Sequence, residues 1–284
     1  MKRMKTQKKR RPVRAIVITG NGTNCEREMA HGCRLGGADA VDIVHVSWLL
    51  DGDVSLSDYD FLNLPGGFLD GDDMGAARAS ANRFKYRRIK GTTRTLLDEI
   101  LRFIDAGKLV FGICNGFQLL VKMGLLPGWG DGDCLTQVVT LSYNDSGRFE
   151  DRWVALKVNE AGPCVFTRGI RRTYLPVRHG EGKFYPDSED TLKKIVSKNQ
   201  HVMFYCHPGT WEPTQAYPFN PNGSVAAVAA LTDETGRVFG MMPHPEAFLH
   251  RTNHPRWTRE DLPEKGEGVK FFSNAVEYLR ERFQ

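Results

Sequence analysis

The stretch that decides the fold is Leu109–Leu120, LVFGICNGFQLL. Leu109–Ile113 is a short apolar run of the kind that makes a buried strand. It passes directly into Gly112-Ile113-Cys114-Asn115-Gly116, a thiol flanked by glycines at the spacing G-x-C-x-G. Phe117, Leu119 and Leu120 then supply the apolar positions of a helix's first turns. Strand, tight turn and helix together predict an elbow that lifts one side chain out of a sheet. Small neighbours are needed there because the turn is strained and its two flanking elements approach closely. The lifted side chain is the thiol of Cys114.

Upstream, Thr92–Ala106 carries Leu96, Leu97, Ile100, Leu101 and Ile104 on one helical face, and Gly107 stops it. Ala15–Thr19, Val41–Val46 and Phe61–Leu64 read as buried strands, with a helix over Glu26–Leu35 between the first two. Asn24 is a plausible N-cap for that helix and Gly36-Gly37 its stop. Gly20 and Gly22 complete no phosphate-loop pattern and are taken as turn residues; Trp48–Leu50 is read as an apolar turn. Strands alternating with helices predict a parallel α/β sheet covered on both faces. Ligands then bind at the carboxyl ends of the strands, which places the loops after Thr19, Leu64 and Ile113 on one edge. The second of these is Pro65-Gly66-Gly67-Phe68, followed by a Gly/Asp-rich segment through Gly75.

From about Thr136 the rhythm changes. Val138–Leu141, Trp153–Val158 and Thr173–Val177 predict short strands of an antiparallel or mixed extension. Ser224–Leu231 is compatible with a strand or a short helix. Asp233–Gly236 is a hairpin turn and Arg237–Met242 the returning strand, which ends in Pro243-His244-Pro245-Glu246. The proline after His244 favours an extended backbone, so His244 and Glu246 share a face and the carboxylate can orient the imidazole. Val269–Phe283 is an amphipathic helix with Val269, Phe272, Val276, Leu279 and Phe283 on its core side.

Composition narrows the class. The 284 residues are 40% hydrophobic, enough for a substantial core. They contain no apolar run of about 18 residues and no secretory signal pattern, so no membrane span is expected. The net charge of +5 comes from one end: residues 1–14 hold eight Lys and Arg, and without them 31 basic residues face 34 acidic ones. Residues 1–12 are expected to be a disordered solubilising tail. It has no interleaved aromatics, so no nucleic-acid contact is expected. Six cysteines without a C-x-x-C pair predict reduced thiols in the cytoplasm. Cys25, His31 and Cys33 match no zinc spacing, so no metal is expected.

A thiol at the start of a helix is favoured as thiolate by the helix's positive end, and the free N–H groups there can hold an oxyanion. These parts assemble an acyl-transfer site. Cys114 is the nucleophile, His244 the base and then acid, and Glu246 the orienter; the N–H groups of Gly67 and Asn115 form the oxyanion hole. His179, beside Glu181, is a rival base.

Three motifs, LPGGF (64–68), GICNGFQLL (112–120) and PHPE (243–246), resemble the class I (triad) glutamine amidotransferases. GTNCERE (22–28), NDSGRFEDRWV (144–154), HGEG (179–182), NPNGS (220–224) and GMMPHPE (240–246) narrow the resemblance to the glutaminase component of phosphoribosylformylglycinamidine synthase. The resemblance implies a three-layer, flavodoxin-like sandwich with a mostly parallel central sheet, forming one glutaminase domain over residues 13–284. It implies hydrolysis of L-glutamine through a γ-glutamyl thioester on Cys114. The ammonia is delivered to a separate synthetase of the PurL type that uses ATP and Mg²⁺, with a small accessory subunit of the PurS type as a further expected partner. This chain itself is expected to carry no cofactor. Gly66, Phe68, Gln118, Asn222, Gly223 and Ser224 are expected near the glutamine pocket on the same ground. Two features depart from the pattern. Ala247 stands where the family often has arginine, and 38 residues follow Glu246. The alternatives are a glutaminase serving CTP or GMP synthesis, and a non-catalytic module of the same fold.

Overall fold

The computed structural model describes residues 11–131 and 134–283. In chain order the elements are β1 (Arg14–Thr19), α1 (Glu26–Leu35), β2 (Ala40–His45), α2 (Val46–Asp51), β3 (Phe61–Leu64), α3 (Arg78–Tyr86), α4 (Leu96–Asp105), β4 (Leu109–Ile113) and α5 (Asn115–Met123). Then come β5 (Gly130–Asp131), β6 (Cys134–Leu135), β7 (Val139–Tyr143), β8 (Glu150–Val158), β9 (Arg172–His179), β10 (Glu181–Pro186) and α6 (Glu189–Ser197). The last are β11 (His201–Cys206), β12 (Val228–Thr232), β13 (Val238–Met241) and α7 (Val269–Arg282).

Nine strands form one sheet in the order β2-β1-β3-β4-β13-β12-β11-β8-β9. From β2 to β13 the pairings are parallel. From β13 to β9 they are antiparallel. The parallel core and the antiparallel extension expected from the sequence are thus halves of a single sheet. β7 and β10 pair separately.

The elbow stretch folds as its spacing demands. Leu109–Ile113 is wholly buried, as a central strand covered on both faces must be. A Cβ on Gly112 would meet the Gly116 carbonyl oxygen at 2.6 Å, and one on Gly116 would meet the Leu64 oxygen at 1.9 Å. Any side chain at either position would push α5 off the sheet. Gly240 of β13 leaves room for the Phe117 ring in the same way, 2.1 Å from where its Cβ would be. On the sheet's other face Phe111 and Phe239 stack at 5.2 Å, with Phe166 and Phe272 against them. Each such buried side chain is worth about 1.5–3 kcal/mol, so the two strands that carry the site are among the most firmly anchored.

Several local expectations needed revision. Cys25, not Asn24, is the N-cap of α1, and its side chain makes no capping bond. Trp48–Leu50 lies in a helical turn, α2, because the His45 side chain accepts the Ser47 N–H and starts it. The Thr95–Asp98 capping box begins α4 at Leu96, four residues later than expected. Ser224–Leu231 is both alternatives in turn: a 3-10 turn over Val225–Ala227, then β12. α3 and α6, each nine residues long, are further helices that the sequence reading does not include. Of the expected disordered tail, residues 1–10 lie outside the described residues, while Arg11 already pairs with Asp60 at 2.8 Å. The C-terminal helix belongs to the core: Phe271, Phe272, Val276 and Leu279 of α7 are buried, and Phe272 occupies the space left by Gly32 and Gly36.

Candidate functional site

Cys114 sits at the β4–α5 junction with φ 52° and ψ −105°, a conformation that side chains rarely adopt. Such a residue costs about 1–3 kcal/mol and persists only where its surroundings fix it. Here the Cys114 N–H donates to Met241 O at 2.8 Å, and the Gln118 N–H donates to Cys114 O at 3.0 Å. The sulfur points out of the sheet into a cleft of about 120 Å³ and donates weakly to Arg178 O at 3.6 Å.

β13 lies parallel to β4 with Met241 opposite Ile113. The chain leaving it therefore carries His244 to the same edge as Cys114. The Pro245–Ala247 turn folds Glu246 back, and its Oε1 lies 2.5 Å from His244 Nδ1. Both residues are buried. Burial disfavours the imidazolium, but the Glu246 carboxylate and the Cys114 sulfur outweigh it and hold the His244 pKa well above the ordinary value. His244 Nε2 has no conventional partner and faces the sulfurs of Cys114 and Cys25. A carboxylate on one nitrogen and a thiol at the other is the geometry for taking up and returning a proton.

His179, the rival base, is occupied otherwise. Its Nδ1 lies 3.0 Å from Asn144 Oδ1, and Asn144 in turn donates to His179 O at 2.7 Å. Burial, with the nearby His244 charge, pushes its pKa down to about 3. It lines the cleft as a neutral ring.

Gly66 and Gly67 bring the β3 loop to the nucleophile. A Cβ on Gly66 would stand 2.9 Å from His244 Cε1 and 3.4 Å from Cys114 Cβ. The Asn24 and Phe68 N–H groups bond across the loop to Gly66 O and Gly22 O, and Gly67 keeps φ 127°. The Gly67 N–H is not used in that bridge. Asn115 secures the loop from the other side, its Oδ1 accepting the Leu69 N–H at 3.1 Å. Asn115 Nδ2 also donates to Gln118 Oε1, and Gln118 Nε2 donates to Glu181 O at 2.6 Å. Gln118 lines the cleft, with Gly67 and Phe68.

The NPNGS residues do not reach the cleft. Asn222 donates to Gly182 O at 2.9 Å and to the Tyr205 hydroxyl at 3.1 Å. Ser224 accepts the Phe184 N–H at 3.0 Å. Gly223, at φ 77°, makes room for Asp145. The motif supports the 179–182 strand turn from behind. Conversely, Cys25, Asp72 and Glu181 line the cleft without having been singled out for it. Burial first and Glu181 second raise the Asp72 carboxyl above its ordinary value, and its Oδ1 is buried without a partner. Only the position of Cys25 after a strand end could have suggested its place. Cys25, His31 and Cys33 do not converge: His31 meets His250 at 2.9 Å and Cys33 is in the core.

Among the described residues no helix is long and apolar enough to cross a membrane. Residues 12–279 match the family described as CobB/CobQ-like glutamine amidotransferase domain. The phosphoribosylformylglycinamidine synthase subunit PurQ of Dehalococcoides mccartyi is 42% identical over 95% of this chain and 98% of its own length. The subunit of the same name from Methanococcus maripaludis is 40% identical over 94% and 98%. The solved structure of PurLQS from Thermotoga maritima superposes with a TM-score of 0.66 at 28% identity, covering 95% of this chain and 100% of the matched one. By the elbow thiol, the buried His–Glu pair and these near full-length likenesses, the chain belongs to the glutamine amidotransferase family, among the phosphoribosylformylglycinamidine synthase subunits PurQ.

Proposed function

We propose that the chain is the glutaminase subunit of a phosphoribosylformylglycinamidine synthase. The observation that carries this is the strained Cys114 elbow set against the buried His244–Glu246 pair. The Cys114 sulfur attacks the side-chain amide carbon of L-glutamine. The oxyanion forms against the N–H groups of Gly67 and Asn115. His244, having taken the Cys114 thiol proton, passes it to the amide nitrogen, which leaves as ammonia; the same imidazole then takes a proton from the water that hydrolyses the γ-glutamyl thioester to glutamate and returns it to the Cys114 sulfur. The paired carboxylates Asp72 and Glu181 suit the substrate's α-ammonium, since a cation between them would relieve their mutual repulsion.

The ammonia passes to a separate PurL-type synthetase subunit, where ATP and Mg²⁺ convert formylglycinamide ribonucleotide to its amidine; a PurS-type subunit completes the assembly. Cys25, Cys33, Cys114, Cys164 and Cys206 are free, which supports a reducing, cytoplasmic setting. Replacing Cys114 with serine in the assembled synthase is the test. Glutamine-dependent synthesis should vanish while ammonia-dependent synthesis persists. Equal loss of both would refute a dedicated ammonia-supplying role, and co-purification with a CTP or GMP synthetase would reassign the acceptor.

A further inference from the structure

Cys25 has no part in the triad, yet its sulfur stands beside the triad's imidazole. Its Sγ lies within 4.8 Å of a ring nitrogen of His244, and both residues line one cleft with Cys114. Gly66 marks how closely the three gather. The point where its Cβ would stand is 2.9 Å from His244 Cε1, 3.4 Å from Cys114 Cβ and 3.5 Å from Cys25 Sγ. His244 Nδ1 is taken by Glu246 at 2.5 Å, so Nε2 is the nitrogen left for a sulfur. His244 is 2% exposed, and its Nε2 is buried without a conventional partner. Buried polar atoms are rarely left so, and those that are call for an explanation.

The backbone of Cys25 is fixed while its side chain is free to serve the cleft. Its N–H donates to Gly66 O at 3.4 Å, and its carbonyl accepts the Met29 N–H at 3.0 Å. Its side chain makes no capping bond to α1. Burial pushes the thiol's pKa up, against the hydrogen bond to His244. Cys25 is therefore a neutral thiol and does not rival Cys114 as the nucleophile. Before attack, the Cys114 sulfur faces Nε2. Once that sulfur is acylated it carries neither proton nor charge, and its hold on the imidazole is lost. The ring must still stay aimed for the water step. A thiol is both a weak donor and a weak acceptor, so Cys25 can meet Nε2 in either protonation state. Because it is weak, it gives way to the incoming water.

We propose that Cys25 is a positioning residue for the second half of the reaction, holding the His244 ring in place while Cys114 is acylated. This rests on the glutaminase reading. No bond to the Cys25 sulfur forms or breaks in the reaction. Glu246 secures one end of the imidazole throughout, and Cys25 secures the other when Cys114 no longer can.

The experiment compares Cys25→Ala and Cys25→Ser with the unaltered chain in the assembled synthase. Glutamate release gives kcat and KM. Acid-quenched samples at saturating glutamine give the acylated fraction of Cys114 by intact-protein mass spectrometry. For a two-step reaction, kcat/KM reports the steps up to the thioester, whereas kcat also includes its hydrolysis. Cys25→Ala should lower kcat about tenfold through loss of aim in the water step. KM should fall with it, leaving kcat/KM within about threefold, and the thioester should accumulate. Cys25→Ser keeps a donor and an acceptor at the same place and should hold kcat within about threefold of the unaltered enzyme. A fall in kcat/KM as large as the fall in kcat would make Cys25 a structural residue and overturn the proposal. So would an unchanged kcat in Cys25→Ala, no accumulation of thioester, or a serine variant as slow as the alanine one. If the unaltered enzyme itself forms no thioester and releases no glutamate, the glutaminase reading fails; if it turns glutamine over and Cys25→Ala matches it, only this inference does.

Discussion

Gly66→Ala isolates how tightly the base is held against the nucleophile. Gly66 has no positive φ, so alanine is allowed by its backbone. The obstacle is space: the new Cβ would lie 2.9 Å from His244 Cε1, where carbon–carbon contact settles at about 3.5–4.0 Å. The ring or the loop must yield by roughly 0.6 Å or more. The ring cannot slide freely, because Nδ1 is bound to Glu246 at 2.5 Å and a hydrogen bond to a charged group is worth about 1.5–3 kcal/mol. The loop is bound too, through the Asn24 N–H to Gly66 O at 3.1 Å. A misplacement near 1 Å costs about 100-fold in rate. The expected fall in kcat/KM for glutamine is therefore about 10- to 100-fold, or about 1.4–2.7 kcal/mol in the barrier. Overpacking should lower stability by only about 1 kcal/mol. The assay is glutamate release by the assembled synthase, with ammonia-dependent synthesis as the internal control. Glutaminase activity within threefold of the unaltered enzyme, in a variant confirmed to fold, would refute the claim that Gly66 sets the position of His244.

Other outcomes follow from the same geometry. His179 is neutral in the folded chain with its pKa at about 3, whereas the unfolded chain takes up its proton near pH 6.5. Its contribution is complete above pH 6.5 and is lost as pH falls toward 3, by about 2 kcal/mol at pH 5. Denaturant melts at pH 7 and pH 5 should show this loss in the unaltered chain and not in His179→Gln; equal slopes would contradict the assignment. Asn222→Ala removes donors to Gly182 O and the Tyr205 hydroxyl and should cost about 1–3 kcal/mol in stability. Because Asn222 is behind the cleft wall, KM for glutamine should move less than the stability does, and a specific tenfold rise in KM with no change in melting would place it at the substrate after all. Thr95→Ala deletes the capping box of α4 and should lower stability by about 1 kcal/mol, with glutaminase activity unaffected; a loss of activity would mean α4 is coupled to the site.

The parallel half of the sheet was readable because its signals are local. A buried central strand needs an unbroken apolar run, and a close strand–helix approach needs glycine, so Leu109–Gly116 carries its own geometry. The pairing of His244 with Glu246 was readable from their two-residue spacing, although a 3-10 turn over Pro245–Ala247, and not the extended backbone expected, brings them together. α3 and α6 were missed because their apolar stripes are short, and their helicity comes from packing and, in α6, from the Ser188 cap. NPNGS was expected at the substrate on the family resemblance, but its residues are polar for another reason. The fold instead uses that polarity to satisfy the buried turn at 179–182, and only the identity of its neighbours could show that.

The sequence by itself determined the α/β rhythm, the elbow and the pairing of His244 with Glu246, since each is written in spacings of a few residues. Only the tertiary structure decided between the two histidines. His244 was preferred in the chain because Glu246 follows it at two residues and His179 was its rival; they part in the fold because His179 is buried against an amide and His244 against a carboxylate. Tertiary structure also brought Cys25 into the cleft beside Cys114 and His244, through sheet order: β1, β3, β4 and β13 end on one edge, so residues far apart in sequence share one cleft. Local patterns set backbone shape, but the charge and donors around a buried group are set by whichever strands lie next to it.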